Sequence, residues 1–128
     1  MMKEKLLQLH KISYAPYSNF PVSAIVVCKD GREFSGVNVE DASTRAGTCA
    51  ERCALFSALA AGYKKGDFKE INIMVSNGEI GMPCFICRQV ITEFFDKESE
   101  VILMGKNGES QTYKVSDMCP YPFDSEDL

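Results

Sequence analysis

A chain of 128 residues with 45 % hydrophobic and 25 % charged side chains has apolar matter for one core and too little length for two, so a single domain over residues 1–128 is expected. A formal net charge of −4 with no cluster of lysine and arginine disfavours a polyanionic partner such as nucleic acid. No segment approaches the ~20 apolar residues of a membrane span, and MMKEKLLQLHKIS lacks the continuous apolar run of a secretion leader, which points to a cytoplasmic protein.

Leu6, Leu9 and Ile12 recur at helical spacing among Lys and Glu residues and predict a first helix over Met2 to Ser13. SYAPYSNFP follows as a loop: Pro16 and Pro21 interrupt helix formation, while Tyr14, Tyr17 and Phe20 supply aromatic surface. Val22 to Cys28 and Glu33 to Val39 read as a hairpin around Lys29-Asp30-Gly31. Cys49 to Ala61 is rich in Ala and Leu, apolar on nearly every side, and followed by Gly62, so a buried helix stopped by glycine is expected. Ile71 to Ser76 reads as a third strand and Cys84 to Phe95 as a third helix opened by Pro83. Val101 to Gly105 and Gln111 to Val115 read as closing strands about the turn Lys106-Asn107-Gly108-Glu109. This order predicts an α/β protein, a three-layer α/β/α sandwich with a mixed five-stranded sheet.

In a reducing compartment the six cysteines (28, 49, 53, 84, 87 and 119) read as buried thiols, metal ligands or catalytic groups and not as a disulfide framework. Cys84 and Cys87 are three apart and share one face of a first helical turn, while Cys49 opens the other helix. Helix N-termini carry partial positive charge, which favours thiolates, and thiolates bind zinc. If the two tips meet, three sulfurs hold one ion and leave a fourth position for water, the arrangement of a catalytic zinc. Glu51, two residues beyond Cys49, then stands beside the metal and can move protons.

Other readings of the same residues exist. Thr48 and Glu51 have the spacing of a capping box, in which the acid returns to the backbone of its cap residue. Cys53 could complete a closed four-sulfur structural zinc, which would make the chain a non-enzymatic, metal-stapled module. Cys84-x-x-Cys87 is also a redox spacing, although that leaves Cys-Ala-Glu-Arg unexplained. His10, Cys28 and Cys119 read as surface or packing residues.

Cys49-Ala50-Glu51-Arg52, then Pro83-Cys84-Phe85-Ile86-Cys87-Arg88-Gln89, with FPVSA (20–24), GVNVED (36–41) and PFDSEDL (122–128) in order, resembles the zinc-dependent cytidine deaminases, in particular the small homotetrameric nucleoside type. The resemblance spans nearly the whole chain. It implies hydrolytic deamination of cytidine or deoxycytidine to uridine or deoxyuridine plus ammonia, in pyrimidine salvage. It also implies Zn2+ held by Cys49, Cys84 and Cys87, with Glu51 as the proton shuttle that protonates ring nitrogen N3 as hydroxide adds at C4 and then assists departure of ammonia. By the same resemblance Asn38 and Glu40 take the ribose hydroxyls, Phe20 packs on the base and the Ala50 backbone reads it, favouring nucleosides over free cytosine. Arg52, with Gln89, is the candidate donor to the sulfurs, offsetting the charge of three thiolates on one divalent ion.

The chain also departs from that pattern. Met82 stands where relatives usually have Ser, and Phe85-Ile86 where small residues are common, which predicts a narrowed pocket. No aromatic occupies Ser43-Thr44-Arg45, which keeps a modified cytosine nucleoside such as blasticidin S as an alternative substrate. The tail at Pro122-Phe123 is expected to reach a neighbour's site in a tetramer, or else to pack on its own core.

Overall fold

The computed structural model describes residues 1–128, and the apolar runs of the sequence become strands β1 (Val22–Cys28), β2 (Glu33–Val37), β3 (Phe68–Val75), β4 (Glu100–Met104) and β5 (Ser110–Lys114). They form one sheet in the order β2-β1-β3-β4-β5. β1 is antiparallel to β2 and β3, β3 is parallel to β4, and β4 is antiparallel to β5. The helices are α1 (Met2–His10), α2 (Ala50–Ala60), α3 (Phe85–Phe94) and a single turn, α4 (Val115–Met118).

Central position explains why β3 is the most apolar strand: every residue from Ile71 to Val75 is buried, and a strand covered on both faces loses the polar alternation of a half-exposed one. Its one polar residue in that run, Asn72, donates to Glu70 Oε2 at 2.8 Å. Alternate residues separate the layers. Ile25 and Met74 meet Leu6 of α1 on one face, where the Ser23 hydroxyl also donates to the Leu6 carbonyl at 2.9 Å. Ala24, Val26, Ile71, Ile73, Val101 and Leu103 face the other way, against Ala54, Leu55 and Ala58 of α2 and Ile91 of α3. Each such buried Leu or Ile contributes about 1.5–3 kcal/mol, so the larger core is the one that seats α2 and α3. The three-layer α/β/α arrangement with its mixed five-stranded sheet is the one expected.

Several boundaries differ for identifiable reasons. α1 stops at His10, where the Lys11 N–H turns back to the Gln8 carbonyl and the Ile12 N–H to that of Leu9, and Ile12 is left 68 % exposed. β3 starts at Phe68, earlier than the apolar run suggests, because Lys69 and Glu70 interrupt the pattern while Phe68 stacks on Phe95 at 5.1 Å between ring centroids. α2 packs on one side only: Ala50, Ala54, Leu55 and Ala58 are buried, whereas Phe56 is 46 % exposed. The polar edge strand β5 has only Tyr113 partly covered.

Gly62 ends α2 as its position suggests. With φ at +103°, it lets its own N–H reach the Leu59 carbonyl (3.0 Å) and the Tyr63 N–H reach that of Ala58 (3.2 Å), a Schellman closure. Gly36 of β2 is needed for a different reason. A Cβ there would lie 2.3 Å from the Ala54 nitrogen and 2.4 Å from the Ala50 carbonyl oxygen, so β2 touches the α2 backbone directly. Gly36→Ala is therefore expected to lower the unfolding free energy by about 2 kcal/mol, within the range for overpacking. The readout is a reduced urea midpoint with unchanged slope; an unaltered midpoint would show that α2 can give way.

Candidate active site

Cys49 and Cys84 occupy equivalent positions, each the N-cap of its helix in extended conformation (φ −77°, ψ 155° and φ −66°, ψ 164°). A cap residue in that conformation sends its side chain across the open N–H groups of the first turn, and the Cys87 N–H lies 3.5 Å from Cys84 Sγ. Cys87 itself is buried in the first turn of α3. The two tips meet. Cys49 Sγ and Cys84 Sγ are 3.8 Å apart, and all three sulfurs lie within 4.8 Å of one another. A tetrahedral zinc with Zn–S bonds near 2.3 Å spaces its sulfurs about 3.8 Å apart, so this donor set fits such an ion.

Cys53 is outside the group, a turn further along α2, which removes the closed four-sulfur reading. The capping box is absent as well. α2 starts one residue later than that box requires, and the Thr48 N–H and carbonyl pair with Val39 at 2.9 and 3.0 Å. Glu51 thus stands at the second helical position, 5 % exposed, with Cys49 and Cys84 in the wall of a cavity of about 610 Å³. Phe20, Asn38, Glu40 and Ala50 line the same cavity.

The electrostatics follow from this crowding. Hydrogen bonding from the Cys87 thiol, with Arg52 and Cys84 adding to it, holds Cys49 down to about 5 against the effect of burial. Cys87 is raised, first because it donates to Cys49 and then by burial and the Glu51 charge. The first negative charge of the cluster therefore settles on Cys49. Burial pushes the Glu51 carboxyl up to about 7, and the Cys49 charge acts in the same direction. Arg52 Nη2 lies 3.4 Å from Cys49 Sγ, and its buried Nε has no hydrogen-bond partner. Of the two expected sulfur donors only Arg52 reaches a sulfur. Both ends of the Gln89 amide engage the backbone of Phe123, donating to its carbonyl at 2.6 Å and accepting its N–H at 3.1 Å, and so strap the tail to α3.

Asn38 and Glu40 hold the loop that forms one wall. Asn38 Nδ2 donates to the Phe20 carbonyl at 3.0 Å, and its Oδ1 accepts the Val22 N–H at 2.8 Å and the Ser13 hydroxyl. Glu40 accepts the N–H groups of Tyr17 and Ser18 at 3.0 and 3.1 Å and the Ser18 hydroxyl. Ser13 and Ser18 are the residues that reading the sequence missed; their only signal was a hydroxyl at each end of the Tyr14 to Tyr17 segment. The expected narrowing by Phe85 and Ile86 does not occur. With Cys84 capping the helix, the next two residues rotate outward and are 74 % and 61 % exposed, Phe85 lying under the Arg88 guanidinium at 4.3 Å. Met82 and Thr44 do line the cavity.

A family profile described as the cytidine and deoxycytidylate deaminase zinc-binding region matches residues 1–104. The chain is similar to the cytidine deaminase of Halalkalibacterium halodurans, 35 % identical over 128 residues that cover 100 % of this chain and 96 % of that one. It is also 35 % identical to the cytidine deaminase of Sporosarcina psychrophila over 116 residues, 91 % of this chain and 84 % of the relative. Among solved structures, the cytidine deaminase of Burkholderia pseudomallei superposes with a TM-score of 0.89 at 42 % identity, covering 94 % of each chain.

Two measurements check this geometry. Metal analysis is expected to find zinc retained by Cys53→Ala and lost from Cys49→Ala; the reverse would restore the four-sulfur site. The second concerns pH. Glu40 is held below the usual carboxylate range, chiefly by the Ser18 hydroxyl, so its grip on the loop is present above the ordinary carboxylate value and is lost as pH falls through the lowered one. Hydrogen exchange at the Tyr17 and Ser18 amides should lose protection over that acid window, and equal protection throughout would show that the carboxylate does not hold them.

Proposed function

The chain belongs to the zinc-binding cytidine and deoxycytidylate deaminase family, and we propose that it catalyses the hydrolytic deamination of cytidine and deoxycytidine to uridine and deoxyuridine plus ammonia. The observation that carries this reading is the meeting of three sulfurs at two helix N-termini beside the buried Glu51 carboxyl, in the wall of a cavity of about 610 Å³, within the usual range for small-molecule sites. Cys49, Cys84 and Cys87 would hold the metal. When bound there, zinc supplies the Lewis acidity that makes water a nucleophile near neutral pH.

The remaining steps belong to the protein's own side chains. Glu51, its carboxyl raised to about 7, both accepts and releases a proton at neutral pH. It takes one from the attacking water, delivers it to ring N3 as C4 is attacked, and later passes a proton to the departing amino group, so that water and cytidine give uridine and ammonia. Arg52 donates to Cys49 and offsets part of the charge the sulfurs bring. Phe20 packs against the base, the Ala50 backbone reads its edge, and Asn38 and Glu40 take the sugar hydroxyls; their common place in the cavity wall supports this assignment.

The same reading includes one domain over residues 1–128, a homotetramer and a place in cytoplasmic pyrimidine salvage. The single sheet supports the first. Exposed Phe56, Phe85, Ile86 and Tyr121 support association of copies, since large apolar groups at such exposure favour an interface. Three cysteine sulfurs placed to hold one metal must stay reduced to do so, which supports a reducing compartment. No helix is long and apolar enough to cross a membrane.

Loss of ultraviolet absorbance is the assay, with cytidine, deoxycytidine and cytosine in parallel: both nucleosides are expected to react and the free base far more slowly. Glu51→Gln should keep its zinc and lose about 10²-fold or more in kcat. A zinc-loaded Glu51→Gln protein with undiminished turnover would end the shuttle role. Arg52→Ala is expected to keep the fold and lose activity, and unchanged kinetics would remove it from the mechanism.

A further inference from the structure

We propose that Ser13 is a positioning residue for Asn38, fixing its amide so that it can offer the cavity a hydrogen-bond donor and no acceptor; the inference rests on the nucleoside reading above. A carboxamide has two lone pairs on oxygen and two hydrogens on nitrogen. On Asn38 both lone pairs are engaged, one by the Val22 N–H at 2.8 Å and one by the Ser13 hydroxyl, whose oxygen also lies 3.2 Å from the Asn38 backbone carbonyl. One nitrogen hydrogen goes to the Phe20 carbonyl at 3.0 Å. What remains is a single N–H on a side chain that lines the cavity.

Ser13 is delivered to this position by backbone pairing. The Tyr14 N–H donates to the Asn38 carbonyl at 3.1 Å and the Glu40 N–H to the Tyr14 carbonyl at 2.8 Å, a parallel bridge that ties the segment after α1 to residues 38–40. Ser13 does not line the cavity, so it acts through Asn38 and not on a ligand. Glu40 next to it is the chemical opposite. An ionised carboxylate only accepts, with about four lone-pair sites, and three of Glu40's are engaged by Tyr17 and Ser18. One donor beside one acceptor is a match for sugar hydroxyls, which accept from Asn38 and donate to Glu40. Removing the Ser13 hydroxyl frees a lone pair on Asn38 and loosens the amide, which weakens recognition of the sugar and leaves the chemistry at the base untouched.

Steady-state kinetics of wild type, Ser13→Ala, Ser13→Val and Ser13→Thr with cytidine and with 2′,3′-dideoxycytidine test this. Ser13→Ala and Ser13→Val should raise KM for cytidine about five-fold, the worth of one neutral hydrogen bond, with kcat unchanged and with no effect on the dideoxy substrate. Ser13→Thr, isosteric with valine but keeping a hydroxyl, should restore the wild-type ratio of kcat/KM between the two substrates. The proposal is overturned if Ala and Val variants lose both substrates equally, or if Thr behaves as Val does. Wild type that turns over neither nucleoside refutes the deaminase reading itself, and wild type that handles both with equal kcat/KM removes the sugar from Asn38. Either outcome takes the role of Ser13 with it.

Discussion

The chemistry of this molecule depends on two helix N-termini lying a sulfur–sulfur contact apart, and the sheet order is what brings them there. β2 and β3 each run antiparallel to β1, so they point the same way and the segments leaving them emerge at the same end of the sheet. Each of those segments leads into a helix, α2 after β2 and α3 after β3, and both helices pack on the same face. Two chain directions thereby place Cys49 and Cys84 at matching caps, 3.8 Å apart across a gap of 35 residues in sequence. The contact at Gly36 adds precision, because a strand in touch with the α2 backbone limits how far that helix can slide.

Such a corner gathers negative charge. Three ionisable sulfurs and the Glu51 carboxyl share it, with two helix N-terminal dipoles and Arg52 opposing them. Within that balance Cys49 is drawn down by its neighbours while Cys87, donating to it, is driven the other way. A divalent cation changes the sum, since metal binding requires the ligands deprotonated and releases their protons. The raised Glu51 follows the same logic from the other side. A carboxyl kept out of water in a crowded negative corner holds its proton until something takes it.

Much of this was legible from residue spacing. Cys84 and Cys87 announced a shared first turn, Gly62 announced the end of α2, and the apolar runs located the strands to within a few residues. What stayed hidden was decided by tertiary contacts. Phe68 joins β3 because it stacks on Phe95, which the polar Lys69-Glu70 pair concealed. Phe85 and Ile86 looked like pocket residues by adjacency, but one helical residue turns a side chain by about 100°, and with Cys84 pointing inward they face out. Gln89 followed the cysteines closely enough to suggest a sulfur partner, yet its amide meets the Phe123 backbone, a long-range pairing that no local pattern encodes. Asn38 and Glu40 gained weight from resemblance alone, and their ties to Ser13, Phe20 and Ser18 belong to a loop with no periodicity.

The terminal strands of the sheet bear on how copies of this chain can meet. β2 and β5 leave one row of backbone groups each without a strand partner, and such rows invite intermolecular strand addition unless something discourages it. β5 is short and carries Gln111, Thr112 and Lys114, and β2 is crowded by α2 at Gly36 and salted by Glu33 with Lys5 at 2.8 Å. Edge-to-edge zippering, which would carry one sheet from copy to copy without end, is thereby blunted.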